Sequence, residues 1–372
     1  MLIALIGNGA ESMLNFRGSL IRRIVARGHQ VVAFAPDYDA ITRAAVQQLG
    51  ASASDFPLSR GGTSPFADLR TLHALWRQLA QLRPDAVLSY FIKPAIYGNY
   101  AAALAGVPRR VVMLEGLGYG FAQDAPTRRQ RVVGRILKTL LRISLAKAQV
   151  TLVLNDEDRD SLIRDVGVAP QQIINMGGIG VELDQFEPAP VREHVRTFAM
   201  AARLIAEKGV CDYVEAARRI RRDNGQIRFL LLGDVDNNPN SLTREQVAAW
   251  RDEGIIEWPG RVSNIQDWLK QADVFVLPSY YREGVPRSTQ EALALGRAIV
   301  TTDHVGCRDT VDAGVNGLLV PPRNVDALVQ ALQLLINTAG LARDMGQASR
   351  IFAEARFDAA KADTRIIALL EG

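Results

Sequence analysis

Short apolar segments alternate with longer amphipathic segments along almost the whole chain, and this alternation constrains the fold more than any other feature. The apolar segments of the first half include Leu2–Ile6, Val31–Ala35 and Arg110–Leu114, with helical patterns such as Phe16–Arg27 between them. Strands that are apolar on both faces are typical of parallel sheets covered by helices on both sides. The first half therefore predicts an α/β domain with a doubly wound sheet.

The alternation starts again after Glu187–Pro190, a proline-rich stretch that is typical of an interdomain linker. Thr197–Ala201, Ile227–Leu232 and Val274–Leu277 are predicted strands of a second sheet. We expect two Rossmann-like domains, over residues 1–187 and 188–355, and a C-terminal helix over 356–372 that packs back on the first domain. Ligands of open α/β sheets bind beyond the carboxyl ends of the strands, so a ligand is expected in a cleft where the two domains face each other.

Composition excludes several classes of protein. Hydrophobic residues make up 48% and charged residues 23% of the chain, as in ordinary globular enzymes and unlike disordered or fibrous proteins. The two cysteines, Cys211 and Cys307, are far apart, which indicates a reducing cytoplasm and no zinc knuckle. The first apolar run stops at Gly7, too early for a signal peptide, and no run reaches the roughly 18 residues of a membrane span.

Positive charge is concentrated in the first half of the chain. Residues 1–190 contain 21 Lys and Arg against 16 Asp and Glu, whereas the remaining residues contain 23 against 24, within a net charge of +4. This asymmetry favours an anionic partner for the first half, either ligand phosphates or a lipid surface. Aromatic residues are only 6% of the chain, which disfavours a nucleic-acid-binding protein.

A G-x-G turn, Gly7 to Gly9, follows the first strand and precedes a helix. Glycines let the backbone approach a phosphate, which the helix N-terminus attracts. A dinucleotide fingerprint needs a third glycine where Ser12 stands, so the match is incomplete even though Asp37 follows the second strand. A nicotinamide-dependent dehydrogenase is therefore one alternative, and a tight turn without a ligand is another.

Two segments of the second half carry more specific chemistry. Arg203 and Lys208 lie between a strand end and a helix start, where two cations can neutralise a diphosphate. Glu283 and Glu291 bracket the predicted start of another helix, and Pro286 suits the first turn of that helix. Two carboxylates thus lie beside a helix N-terminus that can hold an anion.

With these segments the chain resembles glycosyltransferase family 4, the retaining sugar-nucleotide transferases of the GT-B fold, over almost its whole length. The segments that carry the resemblance lie in both halves: Gly7–Gly9 with Asn15–Arg17, Arg203–Gly209, Glu283–Glu291, Gly306–Asp309 and Asn316–Pro321. The segments Ile92–Gly98 and Gly116–Phe121 resemble a bacterial branch that extends lipid-linked oligosaccharides for capsule, exopolysaccharide, O-antigen or protein glycosylation.

The resemblance implies roles for individual residues. Arg203 and Lys208 would bind the donor diphosphate, Glu291 would accept hydrogen bonds from the ribose, and Glu283 would contact hydroxyls of the donor sugar. The implied catalytic set is Glu283, Arg203 and Lys208. The implied donor site adds Gly7, Gly9, Gly284, Val285 and Pro286.

The implied reaction retains the anomeric configuration and uses neither a metal nor another cofactor, since fixed cations can stabilise the departing diphosphate. Family precedent implies a front-face reaction in which the leaving phosphate takes the acceptor proton. A double displacement through a carboxylate nucleophile is the alternative, and the residues are compatible with both.

The acceptor side is expected on the first domain, at Tyr90, Lys93, Gly118 and Tyr119. Aromatic residues and glycines in the Gly116–Phe121 loop can stack on sugar rings or form a lid. Many members of the family carry a histidine near Tyr90, whereas this chain does not.

A basic stripe runs along the predicted helix Arg128–Lys147. At about 100° per residue one face presents only cations, and an apolar face opposite is expected to dock on the sheet. The stripe consists of Arg128, Arg131, Arg135, Lys138 and Arg142, and the apolar face of Val133, Ile136, Leu137, Leu140, Leu141 and Ile143. Head groups of an anionic membrane or the acceptor's diphosphate would neutralise the stripe; a solvated surface is the alternative.

Together these features predict a peripheral glycosyltransferase at the inner face of the cytoplasmic membrane. It would transfer a sugar from a nucleotide-sugar donor, expected to be a UDP-sugar, to a polyprenyl-diphosphate-linked saccharide. A nucleotide-sugar epimerase of the same architecture is the alternative in another enzyme class.

Overall fold

Seven strands from the first half of the chain lie side by side in one parallel sheet. The computed structural model describes residues 1–59, 64–121, 128–236 and 240–372, without the side chains of residues 119, 120 and 128–130. The strands are β1 (Leu2–Ile6), β2 (Gln30–Ala35), β3 (Ser52–Asp55), β4 (Ala86–Tyr90), β5 (Arg109–Leu114), β6 (Val150–Val153) and β7 (Ile173–Asn175). Their order in the sheet is β3-β2-β1-β4-β5-β6-β7. The residues of β1 and β4 are almost entirely buried, as their uninterrupted apolar sequences predict.

Helices connect these strands and cover both faces of the sheet. They are α1 (Ala10–Ala26), α2 (Ala40–Gln48), α3 (Pro65–Leu82), α4 (Ile92–Leu104), α5 (Arg128–Leu145) and α6 (Asp156–Ser161). Crossovers between parallel strands are right-handed, so α3, α4 and α5, which all lead toward β7, lie on one face and α1 and α2 on the other. Helix α4 contacts both α3 and α5.

A second parallel sheet follows with the order β10-β9-β8-β11-β12-β13. Its strands are β8 (Thr197–Ala201), β9 (Arg228–Leu232), β10 (Glu257–Gly260), β11 (Val274–Leu277), β12 (Ala298–Thr302) and β13 (Gly317–Val320). Its helices are α7 (Val210–Asp223), α8 (Arg244–Asp252), α9 (Ile265–Leu269), α10 (Arg287–Ala294), α11 (Val325–Asn337) and α12 (Leu341–Arg356). The prediction of two Rossmann-like α/β domains is confirmed.

The division between the two units differs from the expected boundary at 187/188. The first unit comprises Met1–Ile179 with Ala359–Gly372, and the second comprises Gly180–Asp358. The backbone N–H of Gly180, the first residue of the second unit, donates to the side chain of Gln290 at 2.9 Å. The last helix, α13 (Ala359–Glu371), contacts α1, β4 and β5.

The sequence patterns did not predict every helix and strand. Strand β3 has the sequence Ser-Ala-Ser-Asp and lies at the edge of the sheet, where an apolar run is not needed. Helix α3 was not expected either, although it is 18 residues long and begins with a proline in its first turn. Strand β10, with the sequence Glu-Trp-Pro-Gly, likewise lies at the edge of its sheet.

Among the described residues, no single helix is both long and apolar enough to cross a membrane; only α11 and α12 taken together across a 104° bend meet that criterion.

Candidate active site

The carboxyl ends of β8 and β11 mark the point where the strand order of the second sheet reverses. From these neighbouring strands the chain proceeds to β9 and β10 on one side and to β12 and β13 on the other. Open α/β sheets bind ligands at such a point. Arg203 and Lys208 follow β8 and Glu283 follows β11, so the folding of one unit brings these three residues to the same sheet edge.

Two glycines let the loops at this edge touch backbone to backbone. Gly209 has φ +77°, and a Cβ there would lie 2.0 Å from the carbonyl oxygen of Pro278 in the loop after β11. Gly306 has φ +76°, and its Cβ would lie 2.1 Å from the carbonyl oxygen of Gly284. Because any side chain would clash with backbone, both positions require glycine. The loops after β8, β11 and β12 therefore form one packed edge.

Lys208 and Glu283 form an ion pair at the centre of this edge, and both side chains are largely buried. The hydroxyl of Ser279 donates to the same carboxylate oxygen at 3.1 Å. The ammonium of Lys208 also lies 5.5 Å from the ring centroid of Tyr281. Charge-assisted hydrogen bonds of this kind hold both groups in a defined orientation. Sequence analysis identified Lys208 and Glu283 separately, and only the fold shows that they contact each other.

Arg203 is the more accessible cation, with its side chain 52% exposed and its guanidinium 3.2 Å from Asp236. A half-exposed ion pair contributes little to stability, so an incoming anion can replace the Asp236 carboxylate at small cost. Asp236 was not among the predicted residues, because nothing in its local sequence separates it from ordinary surface aspartates.

Glu291 lies one turn inside α10, and the segment Glu283–Pro286 that leads into this helix is buried. Arg287, in the first turn, donates from Nε to Glu291 Oε1 at 3.0 Å. Burial raises the pKa of Glu291 above its ordinary value, and the Arg287 guanidinium opposes that rise. Arg287 is thus a positioning group for this carboxylate that sequence reasoning did not identify.

The first unit places Gly7 and Tyr90 in direct contact. A Cβ at Gly7 would lie 2.3 Å from the hydroxyl oxygen of Tyr90. Tyr90 is completely buried; its hydroxyl contacts the sulfur of Met13 at 3.1 Å, and the guanidinium of Arg17 lies 4.5 Å from its ring centroid. Burial raises the pKa of Tyr90 well above its ordinary value. These contacts give Tyr90 a packing role, and its close approach is one reason for a glycine at position 7.

We therefore expect Gly7→Ala to lower the stability of the first unit by about 1–3 kcal/mol, the usual cost of an overpacked core. The matched control is Gly18→Ala in α1, where the new Cβ would meet Leu49 Cδ1 at an ordinary 3.8 Å. That change gains up to about 1 kcal/mol of helix propensity. Thermal unfolding of the two variants checks the prediction, and equal melting temperatures would contradict it.

The N-terminus of α1 already has an intramolecular partner. Gly9 is its N-cap, and the backbone N–H of Ala10 donates to the carboxylate of Asp37 at 2.7 Å. Asp37 therefore caps a helix here, a role that the dehydrogenase alternative does not require. Gly9 remains a candidate donor contact, on the resemblance alone.

On the acceptor side, Lys93 lies in the first turn of α4 and forms an ion pair with Asp68 of α3 at 2.9 Å. The hydroxyl of Tyr97 donates to the other oxygen of Asp68 at 2.8 Å. Gly118 begins a 3-10 turn, Gly118–Phe121, and has φ +55°. The side chain of Tyr119 lies outside the described residues.

A buried ion pair supports the loop that contains Gly118. Arg17 of α1 pairs with Glu115, the residue that follows β5, and both side chains are buried. Removing one partner of a buried pair is strongly destabilising. The pair therefore anchors the start of the Gly116–Phe121 loop. Arg17 belongs to one of the segments that carry the resemblance, and its pairing with Glu115 becomes visible only in the fold.

Helix α5 docks through only part of the predicted apolar face. Leu141 is buried, and Leu137 and Leu140 pack against the core, whereas Val133, Ile136 and Ile143 are exposed. An apolar strip is consequently left on the surface beside the cations.

The basic stripe itself is divided. Lys138 donates to Asp165 at 3.1 Å, and Arg142 donates to the carbonyl of Val166 at 2.7 Å. Arg131 and Arg135 are exposed and pair with no acidic side chain in the described part of the chain. The side chain of Arg128 lies outside the described residues.

No group of three or more His, Cys, Asp or Glu side chains among the described residues is arranged to hold a metal ion.

Two family models match the chain, one in each unit. Residues 15–175 match the glycosyl transferase 4-like domain, and residues 195–338 match the glycosyl transferases group 1 domain. Together the two matches cover more than half of the chain.

Named relatives and solved structures agree with these matches. The chain is 27% identical to the N,N'-diacetylbacillosaminyl-diphospho-undecaprenol alpha-1,3-N-acetylgalactosaminyltransferase of Campylobacter jejuni, covering 99% of this chain and 96% of the relative. It is 28% identical to the UDP-Gal:alpha-D-GlcNAc-diphosphoundecaprenol alpha-1,3-galactosyltransferase of Escherichia coli, covering 71% and 70%. The fold is similar to that of Anabaena Alr3699/HepE in complex with UDP, with a TM-score of 0.75, 16% identity, and coverage of 100% and 99%.

Proposed function

Since the chain belongs to the glycosyltransferases that combine a glycosyl transferase 4-like domain with a group 1 domain, we propose that it transfers a sugar from a UDP-sugar to a polyprenyl-diphosphate-linked saccharide. The proposed transfer retains the anomeric configuration of the sugar and uses no metal. The observation that carries this proposal is the meeting of Arg203, Lys208, Glu283 and Glu291 at one edge of the second sheet. Two relatives whose names specify diphospho-undecaprenol acceptors support the choice of acceptor.

The donor is proposed to bind at this edge. Arg203 exchanges Asp236 for a diphosphate oxygen, and Lys208 binds the oxygen that leaves with the diphosphate. The N-terminal end of α10, with Gly284 and Val285 ahead of it, is proposed to bind the same anion. The two carboxylate oxygens of Glu291 accept hydrogen bonds from the two ribose hydroxyls. The UDP bound by a protein of similar fold supports the choice of nucleotide.

The reaction is proposed to proceed on one face of the sugar. The bond between the anomeric carbon and the diphosphate oxygen breaks, the acceptor oxygen bonds to the same carbon, and its proton passes to the leaving phosphate. Lys208 and Arg203 stabilise the negative charge that develops on the diphosphate, which is commonly the largest contribution to such catalysis. Glu283 already accepts hydrogen bonds from Lys208 and Ser279, so we assign it to orienting sugar hydroxyls, with no covalent intermediate.

The acceptor is proposed to bind the first unit, where Lys93 at the start of α4 and the loop containing Gly118 and Tyr119 contact its saccharide or diphosphate. Asp68 holds the Lys93 ammonium in place. Arg131 and Arg135 of α5 are proposed to contact anionic lipid at the inner face of the cytoplasmic membrane, where a polyprenyl-linked acceptor resides. The exposed apolar strip beside these arginines supports a lipid surface over a purely solvated helix.

A screen of nucleotide sugars by thermal shift tests the donor, because a ligand that binds only the folded state raises the melting temperature by mass action. The stabilising donor is then incubated with and without a short polyprenyl-diphosphate saccharide in EDTA, and the anomeric configuration of the product is read by NMR. Conversion of the donor without acceptor would favour the epimerase alternative. Loss of transfer in EDTA, restored by a divalent ion, would overturn the metal-free scheme.

Reversal of the α5 charges tests the membrane contact. We expect Arg131→Glu with Arg135→Glu to weaken binding to anionic vesicles by at least about 30-fold, since each cation near an anionic surface contributes about 1 kcal/mol. UDP binding should be unchanged. Lys138 is left in place because it pairs with Asp165. The matched control reverses Arg222 and Lys270, two exposed cations of the second unit, and equal flotation of both variants would refute the α5 contact.

A further inference from the structure

Helix α3 carries an apolar stripe that faces solvent. Phe66, Leu69 and Trp76 are 85%, 61% and 39% exposed, and the exposed His73 lies between them with its ring 5.7 Å from the ring of Trp76. The spacings of three, four and three residues place these four side chains on one face of the helix. The helix docks on the first unit through another face, made of Thr71, Leu75 and Leu79. The stripe is therefore a second apolar face that the described chain leaves uncovered.

The charges around the stripe are positive. Arg70 and Arg77 are exposed along its border. The only acidic residue of α3 is Asp68, which is engaged by Lys93 and Tyr97. Aromatic and aliphatic side chains bordered by arginines are typical of helices that lie in the interface of an anionic bilayer. A second copy of the chain docked through the same stripe would bring like charges together, which disfavours a dimer.

Helix α3 belongs to the same helical layer as α5. Helices α3 and α5 lie on the same face of the sheet, separated by α4, which contacts both. On α5 the exposed apolar residues Val132, Ile136 and Ile143 lie beside Arg131 and Arg135. One layer of helices thus presents two amphipathic surfaces of the same chemistry.

We propose that the α3 stripe inserts into the interfacial region of an anionic lipid bilayer and is a second membrane contact beside α5. This inference rests on the proposed function, which supplies the membrane, and it identifies a site that the basic stripe of α5 does not include. Insertion of aromatic side chains supplies depth and orientation, whereas the arginines supply attraction to the surface. Two separated helices fix the orientation of the first unit, so that Lys93 and the Gly118 loop remain at a constant height above the lipid.

The first experiment removes the stripe from the full chain. In the triple variant Phe66→Ser, Leu69→Ser, Trp76→Ser, we expect binding to phosphatidylglycerol–phosphatidylethanolamine vesicles, measured by flotation, to fall by about 30-fold or more. The reason is that three apolar side chains are no longer transferred from water into the bilayer. The matched control is Val315→Ser, Leu334→Ser, Ile351→Ser, three exposed apolar side chains of the second unit. It should float like the wild type. Equal flotation of the two triple variants overturns the proposal.

The second experiment uses Trp76 as a reporter and does not depend on a disruptive variant. Vesicles with brominated acyl chains should quench part of the wild-type tryptophan fluorescence. Trp76→Phe keeps the apolar stripe, so it should still float while losing that quenching. Quenching that is absent in the wild type, or unchanged in Trp76→Phe, shows that Trp76 does not enter the lipid and overturns the proposal.

Two further measurements separate this inference from its rivals. Light scattering of the stripe variant in solution tests self-association: a wild-type dimer that becomes monomeric, with vesicle binding unchanged, assigns the stripe to a protein interface. Sugar transfer to a short soluble acceptor tests the proposed function by itself. Loss of flotation in the α3 variant with intact soluble transfer supports both conclusions. Membrane insertion without any transfer would overturn the function and leave the α3 contact standing.

Discussion

We expect Lys208→Ala to lower kcat by about 100- to 1,000-fold, the usual cost of removing one group that stabilises transition-state charge. UDP affinity should fall far less, because negative charge on the leaving diphosphate is greatest in the transition state. The two effects are separated by steady-state kinetics on a soluble acceptor and by calorimetry with UDP. Lys208 is mostly buried against Glu283, so its ammonium is held in position before the donor binds.

A variant at Lys208 also leaves the Glu283 carboxylate buried without its cation, which destabilises the fold. Lys208→Met combined with Glu283→Gln removes both charges and controls for that effect on folding. It should fold as well as the wild type and be at least as slow as the single variant, because it also removes the carboxylate proposed to orient the sugar. Lys270→Ala, at an exposed lysine after α9, should keep full activity. Full turnover of a folded Lys208→Ala enzyme would remove Lys208 from the catalytic machinery.

The second large effect is expected at Glu291. Glu291→Gln should weaken UDP binding by about 1.5–3 kcal/mol, the scale of a hydrogen bond to a charged group. The glutamine amide replaces one of the two acceptor oxygens with a donor, so only one ribose hydroxyl keeps its partner. Calorimetry with UDP measures the change, and unchanged affinity in a folded variant would disprove the ribose contact.

The pH dependence of this effect has a defined sign. Because burial raises the pKa of Glu291, the carboxylate takes up a proton at a higher pH than an exposed glutamate does. UDP binding by the wild type should therefore weaken as pH falls toward that raised pKa, whereas Glu291→Gln has no such proton. Ionisation of the UDP phosphates affects both proteins equally, so the difference between their curves isolates Glu291. In Arg287→Met the loss of UDP affinity should begin at a higher pH, since the guanidinium that opposes the rise in the pKa of Glu291 is gone.

The residues proposed for the donor site were chosen from the sequence, but their pairing was not predictable from it. Arg203 and Lys208 are 75 or more residues from Glu283, and glycines and prolines around each segment indicated loops beside helix starts. That Lys208 contacts Glu283, and that Arg287 holds Glu291, depends on which strand ends are neighbours in the sheet. Strand order is a property of the packed sheet, which short-range patterns do not contain.

On the first unit, the sequence did not reveal that Gly7 packs directly against Tyr90. A glycine before a helix is compatible with a phosphate site and with a close packing contact, and the buried Tyr90 hydroxyl shows the second of these. Helix α5 shows the same limit: its periodicity predicted an amphipathic helix, but Val133, Ile136 and Ile143 face solvent. A hydrophobic pattern indicates that a face is apolar, while neighbouring elements decide which apolar face is covered.

By itself the sequence determined that the chain forms two parallel α/β sheets, because uninterrupted apolar strands between helices are stable only when both faces are buried. It also determined the cations and carboxylates at the carboxyl ends of the second sheet, since their residue types and spacing are local. Only the tertiary structure decided which of these groups pair, that Tyr90 is core, and that the apolar faces of α3 and α5 remain on the surface. Those outcomes depend on contacts between residues far apart in the chain, where the space left by one element determines what another can bury.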